Sequence, residues 1–161
     1  MDNKYMNKSK VNKLRMMIED LDIGILCTFS ESERFPHSIT VRRQELDDDG
    51  NLWHLISSES KSFNDLLSNE NITLIYTRPR DLQFIRIVGT GELDDNKLRI
   101  KKYRNHIDSK LFEKGEGDPK IRVLKLAVRD IQYWKSESRG LIAFLKVLGK
   151  AISGRGLDSM N

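Results

Sequence analysis

Over most of its length this chain carries apolar side chains at every second position, and a chain patterned this way must pair its strands into a sheet that buries one face. Ile23, Ile25, Cys27 and Phe29 alternate with Gly24, Leu26 and Thr28, which reads as a largely buried strand. Ser30 to Arg34 is a turn. A second strand, His37 to Glu45, sets Ile39 and Val41 on one face and Ser38, Thr40, Arg42 and Gln44 on the other. Asp47-Asp48-Asp49-Gly50-Asn51 is a hairpin signal leading into a third strand, Leu52 to Ser57. Ile72 to Thr77 is a fourth, broken by Pro79. Leu82 to Leu93 is a fifth, with Ile85, Ile87, Gly89, Gly91 and Leu93 facing one way and Arg86, Thr90 and Glu92 the other. Ile121 to Trp134 is a long sixth.

The helical period takes over in four places. Val11, Leu14, Ile18 and Leu21 mark a short amphipathic helix. Phe63, Leu66 and Leu67 define a second helical face after Ser60, a residue type suited to capping. A third helix is expected from about Asp95, carrying Leu98, Tyr103, Ile107 and Leu111, followed by a loop from Gly115 to Pro119. The tail repeats the pattern with Leu141, Phe144, Leu145, Leu148 and Ile152. The expected architecture is mainly β with flanking helices: six antiparallel strands closed into a small barrel, with helices over its ends. A barrel of six strands is filled by its own side chains, so a ligand must bind outside it or between subunits. The organisation expected is a flexible N-terminus over 1–10, one domain over 11–136, and a C-terminal amphipathic helix and tail over 137–161.

Composition narrows the function. The 161 residues include 28 Lys and Arg against 24 Asp and Glu. That is a mixed surface without the aromatic–basic stripe of a nucleic-acid binder. One cysteine excludes an intrachain disulfide framework, and no apolar run is long enough to span a bilayer, so a cytoplasmic setting is expected. Cys27 reads as a structural thiol within an apolar strand. His37, His54 and His106 lack metal-ligand spacing, and no metal is expected. Gly89-Thr90-Gly91 lies within a strand and opens no helix, so it is not a dinucleotide loop.

The segment richest in chemistry is Leu52-Trp53-His54-Leu55-Ile56-Ser57-Ser58-Glu59-Ser60-Lys61-Ser62-Phe63, a strand that runs through hydroxyls into a helix. Ser57, Ser58, Ser60 and Lys61 offer donors and a charge suited to a phosphate. The plainer alternative is that Ser60 only caps the helix and Lys61 is solvated. The second strand pairs with the third and presents hydroxyls and a cation beside that turn, so Arg42 or Arg43 could complete a phosphate clamp.

From Val11 to Ser136 the chain resembles the pyridoxamine 5'-phosphate oxidase-like FMN-binding split β-barrel family, and within it the bacterial general stress protein branch. The resemblance is carried by Ile23-Gly24-Ile25-Leu26-Cys27-Thr28, Asp49-Gly50-Asn51-Leu52-Trp53-His54-Leu55-Ile56-Ser57, Phe84-Ile85-Arg86-Ile87-Val88-Gly89-Thr90-Gly91, and Val123-Leu124-Lys125-Leu126 through Ile131-Gln132-Tyr133-Trp134. It implies a homodimer that binds FMN in clefts at the subunit interface. By position, Ser38, Ile39, Thr40, Val41 and Arg42, with Ile56, Ser57, Ser58, Ser60 and Lys61, would hold the flavin phosphate. Phe84 would lie near the ring or across the interface, and Trp134 would pack near the isoalloxazine from the partner chain.

The chain departs from its relatives at three points. Ile39-Thr40-Val41 stands where an Arg-Pro-Met-like triplet is common, Ser62 follows Lys61 where a second cation is frequent, and Arg139-Gly140-Leu141 replaces an Arg-x-His substrate pair. The expected function is therefore a flavin-dependent oxidoreductase of the general stress protein type, not a true pyridoxamine phosphate oxidase, with no catalytic side chain assigned. The alternative is a non-catalytic ligand-binding or stress-response module whose cleft holds another phosphate-bearing cofactor, haem, or nothing.

Overall fold

The computed structural model describes residues 6–107 and 109–135, so the expected tail helix lies outside the described residues. Six strands form a closed antiparallel barrel in the order β1-β2-β3-β6-β5-β4. They are β1 (Ile23–Thr28), β2 (His37–Leu46), β3 (Asn51–Ser57), β4 (Asn71–Arg78), β5 (Gln83–Asp94) and β6 (Ile121–Lys135). This is the small six-stranded barrel with flanking helices that the alternation predicts, and the split β-barrel that the resemblance implies. Closure leaves no edge strand to pair elsewhere. The interior is solid: Leu26, Val41, Leu52, Ile56, Ile72, Leu74, Tyr76, Ile85, Ile87, Leu124 and Leu126 fill it.

The turns explain the strand ends. Asp47 ties the β2–β3 hairpin, accepting bonds from the Asn51 amide at 2.8 Å and from the Trp53 indole at 2.8 Å. Burial alone would raise its pKa, but these hydrogen bonds outweigh it and hold the carboxyl below its usual value. Gly50 closes the turn at φ 86°, a backbone region costly for any residue with a Cβ.

Two helices close the barrel. α1 (Lys8–Ile18) begins inside the stretch expected to fray, because the Asn7 side chain caps it through the Lys10 amide. Its Leu14 and Ile18 plug the end at which β1 starts. Arg43 locks this end by donating to the Ile18 carbonyl at 2.9 Å and to Asp22 at 3.1 Å. α2 (Lys61–Leu66) covers the other end through Leu66, but Leu67, expected on the same face, is exposed.

The third expected helix is shorter. α3 (Lys97–Lys102) lasts six residues, gives way to a 3-10 turn over Arg104–His106, and continues as an irregular connection to β6. Leu98 and Leu111 are exposed, while Ile100, Tyr103 and Phe112 are buried. Those three pack with Trp53, Leu55, Ile121 and Val123 on the outside of the barrel. β3 is consequently covered on both faces. Glu45 pins the helix by accepting from Lys102 at 2.8 Å and from the Tyr103 hydroxyl at 2.6 Å, while the Arg99 guanidinium stacks 3.5 Å over Trp53.

β1 differs from its sequence reading in burial. Gly24, Leu26 and Thr28 point inward, but Ile23 is 57% and Ile25 44% exposed. The strand is buried on one side only, and its outer apolar side chains have no cover among the described residues.

Candidate functional site

A groove of about 540 Å³ runs along the outside of β2 and β3. One wall comes from Ile39, Thr40, Val41 and Arg42 of β2, with Ile56 and Ser57 of β3 and Ser60 of the turn beyond. These are seven of the twelve residues singled out as phosphate or flavin contacts, which the β2–β3 pairing brings together. Ile23 and Leu111 supply apolar surface at its margins, and His106, Lys110 and Phe112 come from the connection between α3 and β6. The volume lies within the usual range of roughly 300–1,000 Å³ for small-molecule and cofactor sites.

The structure separates the two arginines of β2. Arg42 is exposed and lines the groove, while Arg43 turns inward to the end of α1. A register shift in the β2–β3 ladder between Arg43 and Glu45 accompanies this change of direction.

The serine-rich turn does two things. Ser60 accepts from the Phe63 amide at 3.1 Å and donates to the Ser57 carbonyl at 2.8 Å, so it caps α2 while also reaching the groove. Ser57 takes the Glu59 amide at 3.2 Å, and the Ser58 amide donates to the Lys120 carbonyl at 2.8 Å. Ser58 therefore ties the turn to β6's approach instead of lining the groove. Lys61 is not among the residues that line the groove, and its ammonium lies 3.8 Å from Glu33.

Glu33 belongs to a chain of groups at this corner. Its other oxygen lies 2.9 Å from His37 Nε2, His37 Nδ1 lies 2.8 Å from Asp65, and Thr28 donates to the same Asp65 oxygen at 2.7 Å. The bond to Asp65 raises the His37 pKa, and the bond to Glu33 adds to the rise, although removal from water works against it. The relay joins β1, β2 and α2 and fixes the turn that carries Ser60 and Lys61.

The remaining sequence candidates lie elsewhere. Ser38 contacts Cys27 Sγ at 3.5 Å. Phe84 and Trp134 are cross-strand partners on β5 and β6, outside the groove lining. Trp134 is 51% and its neighbour Tyr133 44% exposed. Sequence reading missed His106, Lys110, Leu111 and Phe112 as groove residues. They share no period with β2, and only tertiary packing brings them near Arg42.

A closed six-stranded barrel with its groove on the outer face of β2 and β3 defines the class: an antiparallel split β-barrel with a filled interior and an open groove outside it. The chain belongs to the family described as pyridoxamine 5'-phosphate oxidase like, whose model matches residues 9–158. Among solved structures, the general stress protein 26 of Bacillus anthracis str. Sterne is similar with a TM-score of 0.65 and 21% identity, over 77% of this chain and 92% of that one. A protein related to general stress protein 26 from Clostridium acetobutylicum gives 0.66 and 17%, over 83% and 93%. The general stress FMN/FAD binding protein of Xanthomonas citri gives 0.64 and 20%, over 82% and 92%. The comparison with curated protein sequences returned no match.

Proposed function

We propose that the protein is a homodimeric FMN-binding flavoprotein and a flavin-dependent oxidoreductase of the general stress type, distinct from a true pyridoxamine phosphate oxidase. The observation that carries this reading is the groove's composition. Ile23, Ile39 and Leu111 give it apolar surface for a flat aromatic ring, Thr40, Ser57 and Ser60 bring hydroxyls, and Arg42 brings a charge. An apolar cleft with a few polar anchors is the usual form of a cofactor site. The family and the flavin-binding name of the Xanthomonas citri neighbour support the same choice.

In this reading Thr40, Arg42, Ser57 and Ser60 hold the phosphate end. Lys61 joins them when the ligand's anion takes it from Glu33. The bound flavin supplies hydride and electron transfer. The chain's residues bind and orient it, and none is assigned an acid–base or nucleophilic role. Exposed Ile23 at the groove's margin, exposed Ile25 on the same face of β1, and exposed Tyr133 and Trp134 at the far end of β6 supply apolar surface for a second copy. Trp134 then reaches the ring from that copy. The setting we propose is the cytoplasm, in keeping with a single cysteine and with the finding that no described helix is long and apolar enough to cross a membrane.

The test is direct. Protein purified from cells should carry, or take up on titration, one flavin per chain, seen as quenched flavin fluorescence and identified by mass. No FMN binding at about 100 µM, which corresponds to less than about 5.5 kcal/mol of affinity, would refute the cofactor assignment.

A further inference from the structure

Glu33 sits between two basic side chains, His37 on β2 and Lys61 at the start of α2. Its Oε2 lies 2.9 Å from His37 Nε2, and its Oε1 lies 3.8 Å from the Lys61 ammonium. On the other side of the ring, His37 Nδ1 lies 2.8 Å from Asp65 Oδ2, which also accepts from Thr28 at 2.7 Å. Both ring nitrogens therefore face carboxylate oxygens. Both bonds form together only when the imidazole carries two N–H groups, that is, as the cation.

The two carboxylates do not hold the ring equally. Asp65 is buried, and leaving it without its partner costs more than freeing Glu33, which is half-exposed and meets water. When the imidazole loses a proton, the remaining N–H stays on Nδ1 toward Asp65. Nε2 then presents a lone pair to Glu33 Oε2, and two acceptors at 2.9 Å repel. The Glu33 carboxylate turns away, and the Lys61 ammonium is the positive charge beside it. Asp65 from α2 and Glu33 from the loop before β2 are the charged groups that act on His37, and both favour its cation. The Lys61 side chain is 72% exposed, so it can meet either Glu33 or an anion held at Ser60, its neighbour and a groove residue.

We infer that His37 and Glu33 control Lys61: the imidazolium engages Glu33 and leaves Lys61 to the ligand's phosphate, while the neutral ring releases Glu33 onto Lys61. The inference rests on the reading of the groove as the flavin site and deepens it. Neither His37 nor Glu33 touches the ligand; both act through the lysine, as positioning residues. The sign follows from the proton. Phosphate affinity is highest while His37 is charged and falls as the pH rises through its titration, and the ring end of the flavin is indifferent to the change.

Two measurements on the full chain test it. In the first, the histidine imidazoles are titrated by NMR in wild type and in Glu33→Gln, with His37 assigned from the signal lost in His37→Gln. The His37 midpoint should lie above 6.5 in the wild type and move down in Glu33→Gln. An unchanged midpoint overturns the exchange. In the second, FMN and riboflavin are titrated in parallel between pH 6.5 and 9, and the ratio of their affinities is followed. The ratio should fall by about threefold across this range in the wild type, within the reach of an exposed ion pair. It should stay level in Glu33→Gln, whose exposed side chain makes a folded variant straightforward, and in Lys61→Gln. The second ionisation of the phosphate, at about 6, is common to every variant and drops out of the comparison. A ratio that ignores pH in the wild type, or falls equally in Glu33→Gln, overturns the inference. Uptake of neither flavin refutes the flavin assignment, and the imidazole titration still decides the exchange of Glu33.

Discussion

His54 is held neutral by its surroundings. It is fully buried on β3, neither ring nitrogen has a hydrogen-bond partner, and burial with the nearby Arg43 charge pushes its pKa down to about 3. In the unfolded chain the same imidazole titrates near 6.5, so below that pH the unfolded state binds a proton that the folded state refuses. Stability must therefore fall as the pH drops from 6.5, by about 1.4 kcal/mol per unit once the unfolded histidine is protonated. Urea unfolding between pH 6.5 and 5, above the range of the carboxylates, should show this slope, and His54→Leu should flatten it. His37 has the opposite sign. Its pKa is raised by Asp65 and Glu33, so what it contributes is complete below about 6.5 and fades as the pH rises above that. The inward direction of His54 was legible, because it shares a strand face with Leu52 and Ile56. Its unpartnered state was not, since sequence alone does not show which neighbours the far side of a barrel brings.

At the level of elements, the β5–β6 ladder is the longest in the barrel and contains a register shift between Val88 and Gly89. A Cβ at Gly89 would lie 2.1 Å from the Ala127 carbonyl oxygen, a contact that backbone cannot relieve cheaply. Gly89→Ala should cost about 3 kcal/mol or more, at the upper end of overpacking penalties, and chemical denaturation will measure it. The Gly89-Thr90-Gly91 stretch is thus what its strand context suggests, a place of close packing. Strands were readable because a half-buried strand repeats every two residues and a misregister flips every side chain. The third helix was not, because its buried residues serve the outer face of β3 instead of a helical stripe. Ile100 and Tyr103 share one turn, but Phe112 joins them from irregular backbone, while Leu98 stays exposed. For the same reason the groove was half legible. β2 and the serine turn lie next to each other through a hairpin pairing that the sequence announces. The wall from the α3–β6 connection reaches them only through long-range packing.

For the molecule as a whole, the outer face of β1 decides whether one copy suffices. Ile23, at the groove's margin, and Ile25 are both exposed among the described residues, and surface of this kind is expected to be covered. Ile25→Glu should convert a dimer into a folded monomer in sedimentation experiments and weaken FMN along with it. A wild-type chain that sediments as a monomer with full flavin affinity would contradict the shared cleft.

β3 lies between the barrel interior and the cluster formed with α3 and its connection, and its five central residues, Leu52 to Ile56, are all buried. Backbone amides in such a segment exchange only when most of the domain opens. The floor of the groove therefore belongs to the most persistent part of the molecule. Loosening in the loop before β2 would leave that floor in place, with no folding step needed to restore it.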